Sequence, residues 1–291
     1  MPKINFGGGK SQLKIQDSET ERLSRFLNEI IPGKRRKRPI ASKAGYCPTA
    51  NWFSINTDGE SFVGGAMKLY QGIGNGVEEE IVKAYERNGA LLGTQVLLPL
   101  PDGVDLGGFI DMIALNGEGE PALYEIKTCT NLPSKIKDEH AAQVAAYWTF
   151  SGFKKCYVIY VSRKVQNFPD PTPLIKVFYF DPTEEENQSK IDNLFLSLVT
   201  SGASLPPLRP ATYNEKNECI FCNYKAICWG GDTEFMLNRD YARFSGDAEK
   251  LKKSTISTRN KRVAITLRNC ESSCPVENLE LLKGFIKETN K

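Results

Sequence analysis

The sequence predicts an α/β protein, on three observations. Runs rich in β-branched and aromatic residues at 94–100, 107–115, 122–128, 155–161 and 174–180 have the length and composition of strands. Segments with helical spacing of apolar residues lie between and around them. The second and third runs are separated only by Asn116, Gly117, Glu118, Gly119 and Glu120, the mark of an antiparallel hairpin.

Taken in order, residues 1–17 read as flexible, and 18–32 as an amphipathic helix with Leu23, Phe26, Leu27, Ile30 and Ile31 along one side. The basic linker Lys34, Arg35, Arg36, Lys37 and Arg38 leads to a short helix after Cys47. A helix over 76–89 aligns Val77, Ile81, Val82 and Tyr85. The hairpin strands are followed by an Ala-rich helix over 137–150, in which Gln143 and Tyr147 are neighbours one turn apart. Small residues let that helix lie close to a sheet. The last two strands precede a helix over 184–198, a proline-rich stretch at 205–210, a cysteine cluster, and a C-terminal helix opened by Pro275. No internal repeat or low-complexity tract is present. The expected organisation is an N-terminal helix and basic arm (1–43), a core (44–230) and a basic C-terminal extension (231–291).

A hairpin turn centred on Glu118 puts Asp111 opposite Glu125 and Ile113 opposite Leu123, with Lys127 on the same face as Glu125. Two carboxylates facing one another across a strand pair repel. A divalent cation removes that conflict. Hard Mg²⁺ or Mn²⁺ takes oxygen ligands and retains waters, so Asp111, Glu125 and the carbonyl of Ile126 suffice to hold it against a phosphate. Such a cation polarises phosphorus and acidifies a bound water, while Lys127 steadies the charge that develops on the phosphoryl oxygens. Taken alone, Glu-x-Lys is common on solvated strand faces. Asp111 is less ordinary, because it interrupts the apolar run of Phe109, Ile110, Met112, Ile113, Ala114 and Leu115, where an unpaired charge is costly.

A strand Asp, a strand Glu-x-Lys and a helix with Gln-x-x-x-Tyr together resemble the PD-(D/E)xK nucleases of RecB type, over about residues 44–230. The resemblance implies a restriction-endonuclease-like mixed β-sheet core flanked by helices. It makes Asp111, Glu125 and Lys127 catalytic, with Gln143 and Tyr147 bracing the metal site and touching the DNA strand. It also implies a metal ligand from the helix over 76–89. Glu78 matches best and Glu79 second, the family's histidine being absent, although acidic residues are also favoured in a first helical turn by the macrodipole. The single histidine, His140, is expected to face solvent, a partner or DNA.

Cys219, Cys222 and Cys228 cluster as C-x2-C-x5-C, and Cys47 precedes Pro48 at the other end of the core. By itself a CxxC with a third cysteine fits zinc, a redox pair or packing. Flanking this core, the four resemble the iron–sulfur clasp of AddB-like nucleases and of the CRISPR-associated adaptation nuclease. That implies a [4Fe–4S] cluster on Cys47, Cys219, Cys222 and Cys228, with zinc as the alternative, joining the N- and C-terminal segments. Cys129 and Cys156 read as core thiols, and Cys270 and Cys274 lack ligand spacing.

A length of 291 residues with 40% hydrophobic and 25% charged residues allows one good core and a small subdomain. Residues 1–10 lack the apolar run of a secretory signal and no stretch approaches membrane-spanning length, so the expectation is cytoplasmic, or host cytoplasm for a viral protein, without a membrane partner. A net charge of +3 is modest, but Lys34 to Arg38 and the seven cations Lys250, Lys252, Lys253, Arg259, Lys261, Arg262 and Arg268 form basic stretches suited to DNA. Basic runs are also commonly solvated arms.

The function expected is a metal-dependent DNA exonuclease acting on single strands or resected ends in recombination, repair or replication. The alternatives are a spacer-processing nuclease of CRISPR adaptation and a non-catalytic DNA-binding subunit that retains the fold. Replication, recombination or CRISPR proteins are the expected partners. Two departures from the CRISPR pattern, the Cys-Pro-Thr-Ala-Asn form of the clasp and Glu78 in place of histidine, tilt the expectation towards a phage or viral relative.

Overall fold

A computed structural model describes residues 17–27, 38–56, 65–100, 104–164, 174–201 and 259–289, together with 219, 222, 224, 228, 248–249 and 252–253. Five strands form one mixed sheet in the order β1 (Leu91–Leu97), β2 (Phe109–Leu115), β3 (Pro121–Cys129), β4 (Cys156–Ser162) and β5 (Ile175–Tyr179). Only β3 and β4 run parallel. The helices are α1 (Asp17–Leu27), α2 (Pro48–Asn56), α3 (Gly65–Arg87), α4 (Asp138–Ser151), α5 (Glu185–Ser201), α6 (Arg259–Asn269) and α7 (Leu279–Thr289). None is long and apolar enough to cross a membrane.

The β2–β3 hairpin has the expected register, with Ile113 opposite Leu123 and Met112 opposite Tyr124. Asn116 makes the turn: its Oδ1 accepts the N–H groups of Glu118 and Glu120, both at 2.9 Å. This Asx turn stops the chain from slipping a residue, which would send every side chain to the opposite face.

Each face of the sheet buries a separate cluster. Leu91, Met112, Ala114, Ala122, Tyr124, Ile126 and Ile159 pack against Ile81, Val82 and Tyr85 of α3. On the other face Ile110, Leu123, Val158 and Tyr160 meet α4, whose Val144, Ala145, Ala146, Tyr147 and Phe150 are buried. Parallel β3 and β4 require a long crossover, and α4 supplies it.

The C-terminal segment is part of this core. β1 is an edge strand, and side chains from 269–278 take its outward polar groups. Thr94 N–H donates to Ser273 Oγ at 3.0 Å, while Asn269 donates to Leu97 O at 2.9 Å and Asn278 to Leu91 O at 2.6 Å. Such coverage removes the strand's capacity to pair with another chain. Gly93 permits it, since a Cβ there would lie 2.8 Å from Cys270 Cβ.

Several sequence expectations change. α3 begins at Gly65, well before residue 76, and stays helical through Gly72, Gly74 and Gly76, although these weaken the intrinsic preference and the stretch is largely exposed. β1 lies earlier than 94–100, because its apolar residues 91–92 belong to the strand. α6 was not expected within the basic stretch, and two of that stretch's cations are structural. Arg262 is buried and donates to Thr149 O at 2.7 Å, and Lys252 is ion-paired with Asp192. Residues 28–37, hence Lys34, Arg35, Arg36 and Lys37, lie outside the described residues, as does the stretch 205–210. Arg38 is described, and its guanidinium lies 3.8 Å from Asp105.

Candidate active site

The ends of β1, β2 and β3 bring the predicted residues together with α3 and α4. Asp111 projects from β2 towards β3, where its Oδ2 accepts Ile126 N–H at 2.9 Å. That bond takes the place of a backbone pairing, since the regular β2–β3 ladder stops at Met112 and Tyr124. A strand residue directs its N–H and C=O to the same side, so the Ile126 carbonyl also faces the gap beside Asp111.

Glu125 is fully buried. Its Oε1 accepts from the Lys127 ammonium and from Gln143 Nε2, the latter at 2.7 Å. Gln143 Nε2 also donates to Tyr147 OH at 2.7 Å, and that hydroxyl donates to Phe109 O at 2.8 Å. The chain of bonds ties α4 to both hairpin strands and fixes the Glu125 carboxyl. Its other oxygen, Oε2, is buried and accepts no hydrogen bond, while the Asp111 carboxyl lies within hydrogen-bonding reach of the Glu125 carboxyl. A buried carboxylate oxygen without a donor is costly, and it is the atom a cation at this point would take.

The electrostatics follow from burial. The Asp111 carboxyl is shifted upward by desolvation, against the pull of Lys127 and the Ile126 N–H. Glu125 is pushed well up, first by burial and then by Asp111, against Lys127. Burial draws the Lys127 ammonium down, but the Glu125 and Asp111 carboxylates outweigh it and the net shift is upward. Glu78 of α3 is raised by burial and by Asp111. Its Oε1 accepts from Gln95 at 2.5 Å. Gln95 carries no motif and was not anticipated. It occupies the left-handed region with φ of 47°, unusual for a residue with a side chain, and its amide also serves Asp111.

Asp111, Glu125, Lys127, Gln143, Tyr147 and Glu78 therefore share one site. Among the described residues no group of three or more His, Cys, Asp or Glu side chains is placed to hold a metal ion. The donor set here is smaller: two carboxylates and the Ile126 carbonyl, with Glu78 engaged by Gln95. Such a set suits a hard cation that keeps most of its waters, and the orphaned Glu125 Oε2 fits it.

His140 differs from expectation, because it is turned into the protein. Tyr160 OH accepts Lys137 N–H at 3.0 Å and lies 2.7 Å from His140 Nδ1. Desolvation, then Lys127 and Lys137, depress His140 to about 3. The ring stays neutral at ordinary pH, hydrogen-bonded through Nδ1 to the Tyr160 hydroxyl.

Cys47, Cys219, Cys222 and Cys228 are all among the described residues, and no three of them form a group placed to hold a metal ion; what the structure shows there is local order and a contact between the two ends of the core. None of the eight cysteines is in a disulfide. Cys222 N–H donates to Cys219 O at 3.2 Å, Tyr224 N–H to Cys222 Sγ at 3.4 Å, and Cys228 N–H to Tyr224 O at 2.9 Å. The Tyr224 ring stacks on Phe53 of α2, the helix that starts after Cys47, with centroids 5.7 Å apart. Cys129 and Cys156 direct their thiols to Val161 O and Phe153 O, as core thiols do.

No protein-family model matches the chain, and no curated protein does so. Among solved structures, one titled "Crystal structure of SSO0001" aligns over 72% of this chain and 93% of that one, with 16% identity and a TM-score of 0.43.

A carboxyl whose pKa is raised on folding binds its proton more tightly in the folded state. Its contribution is therefore fully present below the ordinary carboxylate range and is lost as pH rises towards the folded value. Without divalent cations, the stability of the wild type relative to Glu125→Gln should fall between pH 4 and neutrality, read as a relative loss of thermal midpoint in EDTA. Parallel pH–stability curves for the two proteins would mean that Glu125 is not strained by its burial.

Proposed function

We propose that this protein is a metal-dependent nuclease of the PD-(D/E)xK class, with a restriction-endonuclease-like core, hydrolysing phosphodiester bonds in DNA. The observation that carries the reading is the pair of half-buried Asp111 and fully buried Glu125, with Lys127 bonded to Glu125 and a Glu125 oxygen that accepts no hydrogen bond. Asp111, Glu125 and the Ile126 carbonyl would hold the Mg²⁺ or Mn²⁺, with Glu78 behind them. When bound, the cation supplies a polarised phosphorus and a water of lowered pKa.

The chain's own groups do the rest. Lys127 is charged and is partly exposed on its outer side, with 23% of its side chain accessible against 1% for Glu125. It can therefore meet a phosphate oxygen and stabilise the charge that develops as the P–O bond breaks. Gln143 and Tyr147 keep Glu125 from turning away, a positioning role. The substrate class is single-stranded DNA or resected ends, in recombination, repair or replication.

The second half of the proposal is the clasp: Cys47, Cys219, Cys222 and Cys228 bind a [4Fe–4S] cluster that joins the two ends of the core. The Phe53–Tyr224 stack supports it by placing the helix after Cys47 against the C-x2-C-x5-C segment. Four thiolates suit such a cluster. A cytoplasmic setting suits their reduced state.

With end-labelled oligonucleotides and Mn²⁺, Lys127→Ala should lower the cleavage rate about 100-fold or more, the usual scale for losing one transition-state donor. Gln143→Ala should cost about tenfold, as for a residue behind a metal ligand. Lys127→Ala cutting at the wild-type rate would overturn the assignment.

Anaerobically purified protein should be brown, with about four irons per chain, and should lose colour in Cys222→Ser. Colourless protein with stoichiometric zinc would replace the cluster by zinc. Protein with neither metal would remove the clasp.

A further inference from the structure

This inference rests on the nuclease reading and adds where the bases of the strand are held. α3 presents Tyr70, Gly74 and Glu78 at intervals of one helical turn, hence on one face. Glu78 stands at the carboxylates, bonded to Gln95 and sharing the field of Asp111 and Lys127. One turn earlier, a Cβ on Gly74 would lie 3.8 Å from Oγ1 of Thr128, the residue after Lys127. A further turn back is Tyr70, whose ring centroid lies 4.9 Å from the Arg163 guanidinium carbon.

Arg163 follows β4 at the end of β3. Its N–H donates to Cys129 O at 2.8 Å and its Nη2 to Thr130 Oγ1 at 3.3 Å. The Tyr70–Arg163 pair thus stands beyond the end of the strand that carries Lys127, roughly 12 Å along α3 from Glu78. Tyr70 is 56% exposed, and its neighbours Leu69 and Ile73 are 53% and 49% exposed. Core packing does not account for an aromatic ring held on a guanidinium plane and left open beside two exposed aliphatic side chains.

Arg163 has no carboxylate partner among the described residues. Lys164, the residue after Arg163, is held by the neutral oxygen of Asn131. An exposed aromatic face beside two cations held by neutral partners complements an unpaired strand, whose bases offer π faces and whose backbone carries the charge. A protein partner with an acidic apolar segment would share that chemistry, but only a strand is also required at the adjoining site.

We propose that Tyr70, backed by Arg163 and flanked by Leu69 and Ile73, is a stacking ledge for a base of single-stranded nucleic acid, roughly two to four nucleotides from the phosphate at Asp111 and Glu125. The ledge acts on binding and leaves the carboxylate site untouched.

The test uses the full chain in EDTA with labelled oligothymidylate of about 20 nucleotides and an abasic strand of equal length, read by fluorescence anisotropy. In parallel, the base-free diester bis(p-nitrophenyl) phosphate is hydrolysed with Mn²⁺. Tyr70→Ala should weaken oligothymidylate binding about tenfold, the order expected for one stacked base. The abasic strand should bind Tyr70→Ala as it binds the wild type, Tyr70→Phe should bind both strands normally, and diester hydrolysis should be equal in all three. Unchanged oligothymidylate binding by Tyr70→Ala, an equal loss on the abasic strand, a full loss in Tyr70→Phe, or a wild type that binds no strand would each overturn the ledge. Wild type that binds oligothymidylate through Tyr70 yet hydrolyses neither diester nor DNA would overturn the nuclease reading and leave the ledge standing.

Discussion

Two carboxylates buried side by side set the terms for the rest of the molecule. Unit charges of like sign about 4 Å apart repel by about 4 kcal/mol at an effective dielectric of about 20, a large fraction of the stability of an ordinary domain. Asp111 and Glu125 are nevertheless held there by a hairpin whose register allows no escape, because a one-residue slip would expose both hydrophobic faces. Every polar neighbour answers that conflict. Lys127 and Gln143 take one oxygen of Glu125, Ile126 N–H takes one of Asp111, and the oxygen left over is what a cation would bind.

The scaffold keeps this centre from relaxing. α4 spans the parallel crossover from β3 to β4, so the helix that carries Gln143 and Tyr147 is bound to the strands it braces. The Tyr147 hydroxyl reaches the Phe109 carbonyl two residues before Asp111, which ties β2 to α4 at the point where the ladder opens. On the far edge, Ser273, Asn269 and Asn278 occupy the outward polar groups of β1. β1 also carries Gln95, so the C-terminal segment steadies the site from behind without touching it.

Much of the site was legible because hairpins are local. Turn position and alternation placed Asp111 opposite Glu125, and a spacing of four on a helix placed Gln143 beside Tyr147, with no need of long-range information. What depended on tertiary packing was not legible. Gln95 acquires its role from an unusual backbone conformation that no residue pattern announces. The extent of α3 was hidden by three glycines, poor helix formers, and α6 was hidden by a basic stretch that read as a DNA-binding surface. His140, the only histidine, was expected to face solvent, a partner or DNA, yet the hydroxyl that fixes it comes from β4, distant in sequence.

The face of α3 connects the two parts of the functional account, with Glu78 at the carboxylates and Tyr70 two turns away. The nuclease reading requires that the carboxylate pair receive a cation. The direct measurement is calorimetric titration of Mn²⁺ near pH 6 in buffers of different ionisation enthalpy, which counts protons displaced on binding. Because burial raises both carboxyls, binding should release protons, and Glu125→Gln should lower both the release and the affinity. Mn²⁺ that binds without proton release, or equally well to Glu125→Gln, would contradict the account.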